Sequence, residues 1–190
     1  MIHFYQAVPG WFDYRTAYDI LIDRAPPARP SIIVEVGCWL GRGVAYLGVA
    51  ALNAGKPISV VAVDHFRGSA EHQGTRPEVE GMEARCRANL APLAAVMGPR
   101  LIIAALPSSD AAASFADRSC FAVWLDASHD EAAVRADIAA WLPKLEPGGY
   151  LGGDDCVPEW PGVERAVWAY FGDNWRRGER WWLARPGELP

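Results

Sequence analysis

The sequence predicts an α/β fold, a doubly wound and mostly parallel sheet, and three observations carry that prediction. Short, nearly continuous apolar runs recur along the chain, as in strands buried on both faces rather than half exposed to water. Segments with helical spacing of apolar residues separate these runs, and such regular alternation implies right-handed crossovers within one sheet. The runs also end in glycine or acid: IIVEVG at 32–37, VVAVD at 60–64, VWLD at 123–126 and GYLGGDD at 149–155. Parallel strands direct their carboxyl ends to one side, so these glycines and acids should share one crevice.

Size and charge narrow the class. A chain of 190 residues fits one domain with a substantial core, and 51% hydrophobic with 22% charged residues marks a folded globular protein. The net charge of -5, with Lys and Arg scattered, gives no basic field for phosphate backbones, so nucleic acid is not the expected partner. Cys38, Cys86, Cys120 and Cys156 are widely spaced without a C-x-x-C pair, and the start of the chain lacks a signal peptide's charged and apolar regions. The expectation is a cytoplasmic protein with free thiols. No apolar run approaches the ~20 residues that span a bilayer, so no membrane partner is expected.

The elements follow in order. Residues 1–30 hold a leading helix, with Ala17, Ile20 and Leu21 at helical spacing and Pro26-Pro27 as its stop. The aromatic residues Phe4, Tyr5, Trp11, Phe12 and Tyr14 either pack there or form a lid over substrate. Residues 31–155 form the core. The first strand runs into Gly37, Gly41 and Gly43, whose backbone can turn tightly and approach a ligand, and 44–53 reads as the next helix, closed by Gly55 and Pro57. Peptide N–H groups at such a helix start favour an anion.

The second strand, 58–64, ends in Asp64, and 65–78 is too polar and glycine-rich for a core element. His65 and His72 fall in that loop, either touching substrate or simply solvated. A helix spans 79–97, bent at Pro92 and ended by Gly98-Pro99. The third strand, 101–106, leads into Pro107, Ser108, Ser109 and Asp110, a natural helix cap, with the helix running to Asp117. The fourth strand, 121–125, delivers Asp126-Ala127-Ser128-His129. Val134, Ile138, Trp141, Leu142 and Leu145 then repeat at helical spacing until Pro147-Gly148-Gly149 turns the chain into a fifth strand, 150–153, ending in Asp154-Asp155. Residues 156–190 supply a helix at 162–172 and a last strand at 180–185. Only 175–177 remains to pair with it, so the terminal hairpin is expected to be truncated. The tryptophans of this tail fill the core or line an acceptor pocket.

The spacing at the glycines departs from the dinucleotide pattern G-x-G-x-x-G, reading instead Glu35-x-Gly37-x-x-x-Gly41-x-Gly43. It resembles the first motif of class I S-adenosylmethionine-dependent methyltransferases. Later runs, DASHDEAAVRADIAAWLPKLEPGGYLGGDD and WPGVERAVWAYFG, with VAVDHFRGS, look like the methyltransferase family that includes the macrocin-type sugar O-methyltransferases and cephalosporin-pathway relatives. The resemblance covers roughly 31–172 and implies a Rossmann-like methyltransferase fold. Two departures are visible: Glu131 stands where relatives commonly carry tyrosine, and the C-terminal portion is short.

From this resemblance Glu35, Gly37 and Gly41 line the methionine part of the cofactor, and Ser108 or Ser109 borders the adenine. Asp64 lies near the ~20-residue offset at which an acid meets ribose hydroxyls. The resemblance implies Asp126, Asp154 and Asp155 as metal ligands. Physically, three crowded carboxylates raise one another's pKa unless a cation neutralises them, and oxygen donors suit Mg²⁺. The alternative is that Asp155 caps a helix, Asp154 is solvated and Asp126 points at the cofactor. His129 is a general base or a hydrogen-bonded structural residue. The expected function is metal-assisted O-methylation of a small hydroxylated acceptor, of sugar or natural-product type, by a chain compatible with a homo-oligomer. A nicotinamide-dependent oxidoreductase and a non-catalytic S-adenosylmethionine-binding partner protein are the alternatives.

Overall fold

The computed structural model describes residues 1–68 and 79–186. Among the described residues seven strands form one sheet in the order β3-β2-β1-β4-β5-β7-β6. They are β1 Ser31–Val36, β2 Ile58–Asp64, β3 Leu101–Ala105, β4 Cys120–Leu125, β5 Leu145–Gly153, β6 Trp175–Arg177 and β7 Trp182–Ala184. The first five run parallel, and β7 joins β5 and β6 antiparallel. Among the described residues six α-helices accompany them: α1 Arg15–Arg24, α2 Arg42–Asn53, α3 Met82–Met97, α4 Ser108–Ala113, α5 Glu131–Trp141 and α6 Pro161–Phe171. This is the doubly wound architecture expected from the alternating apolar runs.

Strand periodicity divides the core into two layers. Ile33, Val60, Ala62, Ala122 and Trp124 face one side, where they pack with α1, α2 and α3 through Leu21, Leu47 and Leu90. Val34, Val36, Val61, Val63, Val123 and Leu125 face the other, against Ala111, Ile138 and Val167 of α4, α5 and α6. Both faces of β1 and β4 are therefore dry, which is why their sequences read as continuous apolar runs. The edge strand β3 is covered less, and Ile102 is 49% exposed.

Several boundaries differ from the sequence reading for identifiable reasons. α4 stops at Ala113 instead of reaching Asp117, because the Ser114 hydroxyl bonds back to the Ala111 carbonyl at 2.6 Å and closes the turn. β5 begins at Leu145, well before the expected 150, since Glu146-Pro147-Gly148-Gly149 forms a bulge between the pairs Cys120–Leu145 and Ala122–Tyr150. The C-terminal hairpin is present, with two three-residue strands paired along their whole length. All four cysteines are buried and free. No helix among the described residues is long and apolar enough to cross a membrane.

Candidate active site

The strand order reverses between β1 and β4, and a cleft of about 740 Å³ opens there at the strands' carboxyl ends. Its position follows from the topology, because the loops after β1 and β4 diverge to opposite sides of the sheet. Among the residues that line it are Glu35, Gly37, Gly43, Asp64, Ser108, Asp126, His129, Asp154 and Asp155.

The glycine loop is held against its neighbours by backbone bonds. Gly37 N–H donates to the Val63 carbonyl at 2.8 Å, and Asp126 N–H donates to the Val36 carbonyl at 2.8 Å. A Cβ on Gly37 would stand 1.9 Å from the Asp126 carbonyl oxygen, so only glycine lets the loops after β1 and β4 come this close. Gly41 serves differently. It does not line the cleft, and a Cβ there would meet Leu90 of α3 at 2.9 Å rather than enter a ligand channel. Its positive φ of 89° instead starts α2. Gly43 is the glycine that keeps space beside the acid, since a Cβ would lie 2.8 Å from Glu35 Oε1 and from the Tyr14 hydroxyl.

Asp64 organises two loops at once. Trp39 N–H donates to its Oδ2 at 2.9 Å and Phe66 N–H to its Oδ1 at 2.7 Å, with Trp39 and Phe66 both at positive φ. A carboxylate offers about four lone-pair sites, so acceptor capacity remains on both oxygens for ligand hydroxyls. Ser108 is more constrained: its Oγ accepts from Trp141 Nε1 at 2.9 Å, and it bonds the Asp137 carboxyl. Ser109 is exposed and pairs with its neighbour Asp110. His65 lines the cleft, its Nδ1 accepting from Arg67 N–H at 3.0 Å, whereas His72 lies outside the described residues.

Two buried tyrosines of the leading segment meet two of the acids. Tyr14 donates to Asp126 Oδ2 and Tyr18 to Glu35 Oε2, both at 2.7 Å. Burial drives the Glu35 carboxyl well above its usual range, opposed by the Tyr18 bond and reinforced by Asp126. Asp126 is pushed up to about 6, mainly by burial, with the Tyr14 bond opposing and Asp155 adding to the rise. The leading segment thus packs, through Phe12, Tyr14, Tyr18 and Trp124, and also supplies polar groups to the site. The four-residue spacing of the two tyrosines placed both on one helical face and was a readable signal.

The acids at the ends of β4 and β5 form a cluster. Asp126, His129 and Asp155 each offer one donor atom within 4.8 Å of the others. His129 occupies the place in this group that the sequence reading gave to Asp154. His129 Nε2 lies 2.8 Å from Asp155 Oδ2, and its ring packs on Trp160 at 4.6 Å. Arg180, on the turn between β6 and β7, reaches Asp155 Oδ1 at 2.6 Å. Burial raises the Asp155 carboxyl, but the bonds to His129 and Arg180 outweigh it and hold the group below its ordinary value. Asp154 has no such help: its Oδ1 is buried without a partner, and burial with repulsion from Asp126 and Asp155 pushes it up to about 8. Trp160 is one of the tail tryptophans expected to fill the core or line a pocket, and it lines this cleft, whereas Arg180 is a site residue that nothing in its local sequence disclosed, because it arrives from the C-terminal segment by tertiary contact.

Two carboxylates and an imidazole converging in this way fit a divalent cation, and the mixed oxygen and nitrogen set accommodates ions such as Mn²⁺ as well as Mg²⁺.

Comparison with known proteins agrees with this fold. The chain is similar over 97% of its length to a cofactor-bound protein from MTB, with 17% identity, a TM-score of 0.65 and 87% of that chain covered. A SAM-dependent O-methyltransferase from Thermotoga maritima matches 93% of the chain at 14% identity and TM-score 0.61, covering 67% of its own length. A TDP-rhamnose 3'-O-methyltransferase of calicheamicin biosynthesis matches 92% at 16% identity and TM-score 0.58, with 77% of that chain covered. No curated protein matches. The family model described as "Methyltransferase domain" matches residues 34–156, from β1 through the acids after β5, and the chain belongs to that methyltransferase family.

Proposed function

We propose that the protein is an S-adenosylmethionine-dependent O-methyltransferase acting on a small hydroxylated acceptor, with a divalent cation assisting. One observation carries the reading: the glycine loop with Glu35 and Asp64 and the cluster of Asp126, His129 and Asp155 open into the same cleft. The first half suits an adenosyl cofactor, with Asp64 accepting from ribose hydroxyls and Ser108 bordering the adenine. The second half suits a hydroxyl that must lose its proton as it attacks the cofactor's methyl group. The similar fold of a TDP-rhamnose methyltransferase is consistent with an acceptor of sugar or natural-product type, and the four free buried cysteines with a cytoplasmic setting.

The residues divide the chemistry by position. With no cation bound, Asp126 and His129 are the two bases that face the cleft and could accept the hydroxyl proton. Tyr14 fixes one Asp126 oxygen, and Asp155 orients the His129 ring. A divalent cation held by Asp126, His129 and Asp155, with Asp154 beside them, would lower the pKa of an acceptor hydroxyl. The enclosing residues Trp39 and Trp160 limit water around the transfer, and proximity supplies much of the rate.

Calorimetric titration with S-adenosylhomocysteine and with NAD tests the cofactor assignment. The expected result is binding of the first alone, with Asp64→Ala weakening it by about 1.5 to 3 kcal/mol, the range for hydrogen bonds to a charged group. Binding of NAD without S-adenosylhomocysteine would reverse the assignment.

A further inference from the structure

Asp155 is engaged on both oxygens, by His129 at Oδ2 and by Arg180 at Oδ1. The guanidinium is therefore bonded to a carboxylate of the candidate cation cluster. We propose that Arg180 is the internal counter-cation of this carboxylate cluster, and that a divalent ion engages Asp155 only by displacing the guanidinium. The inference rests on the cation-assisted reading above and assigns a residue that controls that site's occupancy.

Three features support the exchange. The first is electrostatic: a divalent ion on Asp155 and a guanidinium on the same carboxylate would lie a few ångströms apart in a partly buried site, where like charges repel strongly. The second is mobility of the right kind. Arg180 is anchored through its backbone, where its carbonyl accepts from Cys156 N–H at 2.6 Å, so the side chain can swing without moving the hairpin. The third is an alternative seat. Asp13 Oδ2 lies 3.9 Å from Arg180 Nε, and its side chain is 64% exposed against 15% for Asp155. A displaced guanidinium keeps a carboxylate partner while moving toward solvent.

Arg180 also accounts for how Asp155 is held beside the other carboxylates. Asp126, Asp154 and Asp155 line one cleft, and among the described residues Arg180 and His129 make the cationic contacts to Asp155. The hairpin thereby brings to the end of β5 the positive charge that crowded carboxylates require.

The test uses Mn²⁺ as probe, with bound and free ion measured by electron paramagnetic resonance at constant ionic strength. Arg180→Met keeps the apolar stem and removes the charge, and should bind Mn²⁺ about ten-fold or more tighter than wild type. Arg180→Lys restores the charge and should return the affinity close to wild type. Adding Asp155→Asn to Arg180→Met should erase the gain. Wild-type Mn²⁺ binding that Arg180→Met leaves equal or weakens, or a gain that survives Asp155→Asn, overturns the role of Arg180 and leaves the cation reading standing, whereas no binding by either protein removes the cation reading and the proposal with it. S-adenosylhomocysteine titration of the same proteins separates the two readings: its failure in wild type removes the cofactor assignment, whereas the Mn²⁺ comparison alone decides the role of Arg180.

Discussion

Gly37 and Gly41 share a φ of 89°, yet they are glycine for different reasons. At Gly37 the obstacle is backbone on both sides, a carbonyl 1.9 Å from any Cβ, so neither partner can yield without separating β1 from β4. At Gly41 the obstacle is the tip of Leu90, a flexible side chain, and the remaining cost is the left-handed conformation itself. Gly37→Ala should therefore cost more than about 3 kcal/mol or prevent folding, while Gly41→Ala should cost about 1 to 2 kcal/mol. Denaturant unfolding gives the two values. Gly41→Ala should also keep its affinity for S-adenosylhomocysteine within a few-fold. A folded Gly41→Ala protein blind to that ligand would return this glycine to the ligand channel, where the motif resemblance placed it. Spacing made the loop legible, but which glycine faces the ligand depends on α3, far along the chain.

At the scale of elements, α1 bears on the site because Tyr14 is its N-cap and Tyr18 lies on its buried face. Its C-terminal end is held by a residue from outside the helix. Lys56 Nζ donates to the carbonyls of Ile22, Asp23 and Ala25 at 2.6, 2.6 and 2.8 Å, placing a positive charge at the negative end of the helix dipole. Lys56→Met should lower stability by about 1 to 3 kcal/mol, the range for charged hydrogen bonds, while leaving cofactor affinity nearly unchanged. A melting temperature equal to wild type would mean that water replaces the ammonium at no cost. The hairpin β6–β7 shows the same dependence on distant contacts. Its strands are legible at 175–177 and 180–185 but look too short to pair, and they persist because Trp182 and Leu183 are buried against β5.

Across the whole molecule, the acid cluster makes stability depend on pH. Asp126 at about 6 and Asp154 at about 8 both sit above the ordinary 3.8. The fold therefore favours their protonated forms, and the unfolded chain favours the ionised ones. Their contribution is fully present below about pH 4 and is lost as pH rises through about 6 for Asp126 and about 8 for Asp154. The ion-free protein should accordingly lose stability from these two groups as pH climbs from 4 to 8. Asp154→Asn removes a buried charge from beside Asp126, Asp155 and Arg180. It should raise ion-free stability by about 1 to 3 kcal/mol near pH 9 and change it little near pH 4, as thermal melts across pH would show. Equal effects at both pH values would mean that Asp154 does not ionise across this range.

The sequence by itself determined the fold class and the location of the crevice. Strands dry on both faces must be apolar throughout, and a parallel sheet must gather Glu35, Gly37, Asp64, Asp126, Asp154 and Asp155 at one end. Those are consequences of local periodicity and of crossover handedness, both written in consecutive residues. Tertiary structure alone decided which groups meet there. Tyr14 reaches Asp126 across 112 positions and Arg180 reaches Asp155 across 25, and His129 joins Asp126 and Asp155 where Asp154 had been expected. Side-chain direction at a strand end depends on the left-handed turn at Asp155 and on the packing of the C-terminal hairpin, neither of which has a periodic signature.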